Sequence, residues 1–218
     1  MPAASTFSFA LAAVVALAAC RDAAPAASAP PPLTAPGPVV SRRDAGQVVD
    51  DEQARFDQDR RPDQVVLALA IGPGDRVADV GCGTGLLTVH LARAVGPTGK
   101  VVATDIDGAV LDLMRARLAA AGVDGAVEPR RVDPDEPGLA PDTFDAILLA
   151  EVDHYLGDAA AWLRTAARQL APDGRLVLTN RVYHRAKALA AAEAAGLRLV
   201  SESSPTTSHF IAVFAPGP

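Results

Sequence analysis

The chain has 218 residues, half of them hydrophobic, and a formal net charge of −6. That is enough apolar material for one core, and the interspersed acids and bases contain no basic block of the kind that binds nucleic acid, so none is expected as a partner. The two cysteines, Cys20 and Cys82, exclude a disulfide framework, and His90, His154, His184 and His209 are too scattered for a zinc site, so no metal is expected.

Residues 1–20 read as an export signal. The apolar run at 9–19 has the length of a signal h-region and is short for a membrane-spanning helix. It ends in Leu17-Ala18-Ala19-Cys20, which resembles the bacterial lipobox, where the cysteine thiol is lipidated. No Lys or Arg precedes the run, so a disordered alanine-rich N-terminus stands as the alternative. Residues 21–40 are rich in Pro and Ala; proline this dense sustains neither helix nor inner strand, and the segment reads as a disordered tether. The expected location is the cell envelope, with membrane attachment through Cys20; the alternative is the cytoplasm.

A folded domain is expected over residues 41–218. Its first twenty residues are highly charged and read as a short helix with loops. Pro62 and Asp63 open a second helix through "QVVLALA", and "GPGD" ends it in a turn. Strands are expected at 76–80, 100–104, 126–132, 144–150 and 175–180. Between them, helical spacing appears at 86–95, 109–121 and 159–170, the last stopped by "APDG". An alanine-rich helix follows at 186–195, then strands at 197–202 and 209–214, joined as an antiparallel hairpin. Strands alternating with helices predict an α/β fold: a mostly parallel sheet of seven strands, doubly wound, with helices on both faces. In such sheets ligands bind outside the carboxyl ends of the strands.

One such end carries "DVGCGTG", residues 79–85. A strand, a glycine turn and a helix make a nucleotide pocket, because glycine lets backbone N–H groups approach the ligand and the helix N-terminus adds positive charge. Asp105, twenty residues beyond Gly85 at the end of the next strand, is placed to accept from both hydroxyls of a ribose. A P-loop is excluded, since Leu86-Leu87 stand where Lys-Ser/Thr is needed. The dinucleotide fingerprint fits poorly, because the spacing is G-x-G-x-G instead of G-x-G-x-x-G. Asp79, ahead of the first glycine, suits a ligand carrying an ammonium group.

Together these residues resemble a family. "VADVGCGTGLLT" is similar to the first motif of the class I methyltransferases that use S-adenosylmethionine, and "VVATDID" to the second. "VEPRRVDPDEPGLAPDTFDAILLAEVDHYL" resembles their third and fourth strands, and "LRTAARQLAPDGRLVLTN" the helix, turn and fifth strand that follow. The resemblance covers residues 62–214 and implies a Rossmann-like fold with S-adenosyl-L-methionine as cofactor. It implies that the backbone of Gly81, Cys82, Gly83 and Gly85 passes close to the cofactor and that Asp79 holds its amino acid end. Asp105 would then bind the ribose, Ile106 pack on the adenine, Asp133 accept from the adenine amino group, and Glu151 face the reactive end. Each acid also has a plainer reading as a turn former, cap or solvated charge.

Methyl transfer from a sulfonium needs alignment above all, and a base only if the acceptor must lose a proton early. Acceptor-side candidates are Asp153, His154 and Tyr155 after the fourth strand, and Asn180, Arg181, Tyr183 and His184 after the fifth. Among them His154 is the candidate base; a role in the pocket wall is the alternative. His90 and His209 read as structural, the latter as an edge residue. The expected activity is methyl transfer to a small acceptor; the alternative is a non-catalytic ligand-binding lipoprotein of the same fold.

Overall fold

The computed structural model describes residues 42–217, with side chains from residue 50. The expected signal segment, Cys20 and the tether lie outside the described residues. The elements are α1 (Arg42–Arg60), α2 (Pro62–Leu69), β1 (Arg76–Val80), α3 (Thr88–Val95), β2 (Lys100–Asp105), α4 (Gly108–Ala120), β3 (Val127–Arg131), β4 (Phe144–Ala150), α5 (Ala159–Ala167), β5 (Leu170–Arg181), α6 (Arg185–Ala194), β6 (Leu197–Thr206) and β7 (His209–Pro216). Local chemistry sets several helix starts. Pro62 takes the first turn of α2, where its missing N–H costs nothing. Asp107 and Asp158 cap α4 and α5 by accepting from the N–H groups of Ala109 and Ala161.

All seven strands form one sheet in the order β3-β2-β1-β4-β5-β7-β6. Strands β1 to β5 are parallel, and β7 runs antiparallel to both β5 and β6. The expected α/β architecture, a mostly parallel seven-stranded sheet closed by an antiparallel hairpin, is therefore the observed one. Strand order reverses between β1 and β4, so their carboxyl ends open a crevice there.

Helices cover both faces, because central parallel strands are apolar on both sides. Leu69 of α2 and Leu91 and Val95 of α3 pack on Val77, Val101 and Leu148. Leu111, Met114 and Leu118 of α4 pack beside them on Ala103. On the other face, Trp162 and Leu163 of α5 and Ala188 and Ala192 of α6 cover Ile147, Leu149, Leu176 and Leu178. Each fully buried leucine or phenylalanine contributes roughly 1.5–3 kcal/mol.

Two elements differ from expectation. The charged segment before Pro62 is one 19-residue helix, not a short helix with loops. Its Gln53, Asp57 and Arg60 lie on one helical face and bond to the rest of the domain, so polar contacts, with Phe56 among them, dock it. The helix α5 ends at Ala167, and "APDG" belongs to β5 instead of a turn. The pairing shifts register between Phe144 and Ala146, which absorbs these residues as a bulge. Gly174 allows it: a Cβ there would press on the carbonyl oxygens of Ala171 and Phe144.

Candidate functional site

The turn after β1 is held by its own backbone and by β2. The Cys82 N–H donates to the Thr104 carbonyl (2.9 Å), and the Gly85 N–H to the Cys82 carbonyl (3.0 Å). The Gly83 N–H donates to Asp105 Oδ2 (3.0 Å), and the Asp107 N–H to Asp105 Oδ1 (3.0 Å). Asp105 thus ties the turn to the end of β2 while keeping acceptor capacity on both oxygens. Gly81 has φ +64 and Gly83 φ +54, a backbone region that favours glycine. A Cβ on Gly81 would fall well inside van der Waals distance of Val152, and one on Gly85 would press on Met114. A Cβ on Gly83 would meet nothing within 4 Å.

Asp79 is only 2 % exposed and accepts from the Thr88 hydroxyl (2.7 Å). Burial pushes its carboxyl up to about 6; the Thr88 hydrogen bond opposes the shift and the nearby Asp105 charge adds to it. Burial, with the charges of Asp79 and Asp105, also raises the Cys82 thiol. That thiol stays protonated and is no nucleophile.

Two cavities flank the turn. The first, about 310 Å³, lies between α1 and the glycine turn, with Phe56, Arg60, Asp79, Cys82 and Gly83 in its wall. The second, about 410 Å³, lies over the ends of β2 and β3, lined by Asp105, Ile106, Val132, Asp133 and Trp162. Gly81, Ala150 and Glu151 line both, so the cavities meet at the strand-order reversal. The structure thereby gathers eight of the expected cofactor residues: Asp79, Gly81, Cys82, Gly83, Asp105, Ile106, Asp133 and Glu151. Gly85 lines neither cavity and packs on α4. His154 lines neither.

Glu151 stands at the junction with φ +57, uncommon for a side-chain-bearing residue. Its N–H donates to the Thr179 carbonyl (2.8 Å). Its carboxylate accepts from Arg60 Nη1 (2.7 Å), contacts His209 Nε2 (3.2 Å) and lies 3.6 Å from Arg181 Nε. Burial works against this charge, yet Arg60 and His209 hold the carboxyl below its ordinary value. Burial and the Arg60 charge together lower the His209 imidazole, which is 5 % exposed and stays neutral near pH 7. His209 is therefore no edge residue: β7 lies inside the hairpin, between β5 and β6, and pairs His209 with Arg181.

Arg60 and His209 escape a reading of the sequence. Arg60 arrives from α1, and the only local signal is the spacing of Gln53, Asp57 and Arg60 along one face. Gln53 donates to the Leu86 carbonyl (3.0 Å), His90 bonds Asp57 (2.8 Å), and Glu52 pairs with Arg117. His90 is structural as expected, but across elements, pinning α1 over the first cavity.

Comparison with known proteins follows the same outline. Residues 78–176 match a family model described as a methyltransferase domain. A ubiquinone/menaquinone biosynthesis C-methyltransferase, UbiE, of Ectopseudomonas mendocina is 37 % identical over 108 residues, covering 50 % of this chain and 42 % of its own. The UbiE of Vibrio vulnificus is 36 % identical over 106 residues, covering 49 % and 41 %. The chain thus spans less than half the length of these relatives. Among solved structures, an Aquifex aeolicus SAM-dependent methyltransferase superposes with TM-score 0.66 at 22 % identity, covering 75 % of this chain and 96 % of that one. A SAM-dependent O-methyltransferase of Thermotoga maritima gives TM-score 0.60 at 19 % identity, covering 73 % and 66 %. With the matched residues lying on the turn, the β2 end and the sheet that form the two cavities, residues 78–176 carry a methyltransferase domain, built on the fold shared with those SAM-dependent methyltransferases.

Proposed function

We propose that this domain transfers a methyl group from S-adenosylmethionine to a small-molecule acceptor. The observation that carries the reading is the meeting of two cavities at Gly81 and Glu151, one sized for a nucleoside and one for an amino acid tail. The residues present fit the cofactor. The open side of Gly83 leaves room above the turn, and the buried Thr104 hydroxyl in the second cavity's wall has no hydrogen-bond partner among the described residues. In this reading Asp79 takes the ammonium, Asp105 the ribose hydroxyls, Ile106 the adenine face and Asp133 the adenine amino group. When bound, the cofactor supplies a methyl on a sulfonium, ready for in-line displacement. The protein then has to align the partners and exclude water, which Phe56 and Arg60 on α1 serve by closing the first cavity. The names of the relatives, quinone-biosynthesis C-methyltransferases, support an acceptor that is a small molecule.

Asp105→Ala is expected to weaken S-adenosylmethionine binding at least about 30-fold, the loss of two hydrogen bonds to a charged acceptor. Calorimetry reads the affinity, and circular dichroism confirms that the domain stays folded. Unchanged affinity would remove the ribose assignment and, with it, the orientation of the cofactor. We further propose that the protein is anchored to the envelope through lipidated Cys20. Cys20→Ser should then move it from the membrane to the soluble fraction on cell fractionation; continued membrane association would count against the anchor.

A further inference from the structure

Four rings stand in a row at the carboxyl ends of β4 and β5. Tyr155, His154, His184 and Tyr183 follow one another with centroids 4.0, 4.3 and 4.2 Å apart. The imidazoles lie nearly parallel, at 15°, and the tyrosines tilt at either end. These are the only two tyrosines of the chain, and they are 80 % and 72 % exposed. Large rings left open to water in a row mark a recognition surface more than a core. The row begins at the cofactor site, since Tyr155 also lines the second cavity.

Its polar groups are held in one arrangement. The Arg181 N–H donates to Asn180 Oδ1 (2.7 Å), which turns the Asn180 amide nitrogen toward Asp153 Oδ1 (2.7 Å) and His154 Nδ1 (3.0 Å). His154 Nδ1 therefore accepts, and the ring's proton sits on Nε2, which has no partner among the described residues. His154 thus offers a ligand its Nε2–H, with the Nδ1 lone pair engaged by Asn180. Beside the row, the half-exposed Arg181 reaches Glu151 only through Nε, and its terminal nitrogens have no partner among the described residues. Arg60 already pairs with Glu151, and the Asp153 carboxylate is met by the Asn180 amide, so the terminal nitrogens of Arg181 are left to meet a ligand oxygen.

We propose that this ring row and Arg181 form the acceptor subsite, and that it takes a planar aromatic acid, a ring bearing a carboxylate or phenolate oxygen. The exposed tyrosine at an end of the row stacks on the ligand's face, and the His154 Nε2–H and the Arg181 guanidinium take its oxygens. An acceptor that enters already ionised needs no general base, which agrees with a His154 lone pair already engaged by Asn180. The proposal rests on the methyltransfer reading only in calling this ligand the acceptor.

The test is calorimetric titration of the full chain with 2-naphthoate, 2-naphthamide and cyclohexanecarboxylate, with and without saturating S-adenosylhomocysteine. Naphthoate should bind at least about fivefold tighter than either comparator, since one loses the charge and the other the ring. Tyr183→Leu should weaken both naphthalene compounds about fivefold, Tyr183→Phe should restore them, and Arg181→Met should weaken naphthoate about tenfold and leave the amide unchanged. S-adenosylhomocysteine affinity and the circular dichroism spectrum should be the same in the Tyr183 variants as in the wild type. Equal binding of the three probes, no binding, or wild-type affinity in Tyr183→Leu and Arg181→Met would overturn the subsite. If naphthoate behaves as expected while S-adenosylhomocysteine fails to bind, the subsite stands and the methyltransfer reading falls.

Discussion

Replacing Asp79 by asparagine is expected to stabilise the domain at pH 8 and to leave its stability almost unchanged at pH 4. The Asp79 carboxyl is raised from 3.8 to about 6 in the folded protein, first by burial. As pH rises from 4 to 6, the unfolded chain releases this proton before the folded one does. Stability therefore falls across that window and stays lowered above it. A shift of this size corresponds to about 3 kcal/mol, and the uncharged amide escapes that cost while still accepting from Thr88. Urea denaturation at the two pH values measures the difference. The same substitution should weaken S-adenosylmethionine binding tenfold or more, about the value of one charge-assisted contact to the ligand ammonium. Wild-type affinity should rise as pH increases from 5 to 7, because the ligand's cation favours the ionised carboxylate, and the Asp79→Asn protein should lack that part of the rise. A protein that gains stability but keeps its full affinity would mark Asp79 as a buried anchor for Thr88 and nothing more.

Why such an acid was legible in the sequence, and others were not, follows from the range of the forces involved. The strands at 76–80 and 144–150 are visible because central parallel strands are buried on both faces and read as apolar runs. Asp79 and Asp105 are visible because strand ends and the glycine turn fix them locally. The environment of Glu151 is not local. Its partners come from α1, β5 and β7, as much as 91 residues away along the chain. Arg60 hides in a segment where polar contacts, with one aromatic among them, dock the helix, so hydrophobic periodicity is silent there. His209 looked like an edge residue because a hairpin can join a sheet by either strand. Here β7 pairs with β5, and β6 takes the edge. The start of β5 was hidden by Pro172 and Gly174, which read as a turn by composition but form a bulge opposite β4.

The three glycines of the turn should separate folding from binding. Gly83→Val places its side chain where nothing lies within 4 Å, at a φ of +54 that costs an ordinary residue roughly 1–2 kcal/mol. The domain should fold with a modest loss of stability, and the isopropyl group should occupy the first cavity. Binding of S-adenosylmethionine should fall about 100-fold or more, because the ligand and the side chain compete for the same space. Gly81→Ala should act in the opposite sense. Even one methyl would collide with Val152, whose branched side chain has few other rotamers, so a loss of about 3 kcal/mol is expected from strain and overpacking. Gly85→Ala should cost less, about 2 kcal/mol, since the colliding atom belongs to the flexible Met114. Urea midpoints and calorimetry on the three variants read both quantities. Wild-type affinity in Gly83→Val would mean that no ligand lies over the turn, and the placement of the amino acid tail in the first cavity would fall. The expected contrast would show the G-x-G-x-G spacing meeting two separate demands. Its outer glycines let Val152, in the loop after β4, and Met114 of α4 pack against the turn, and the middle one keeps the turn's open side clear for the cofactor.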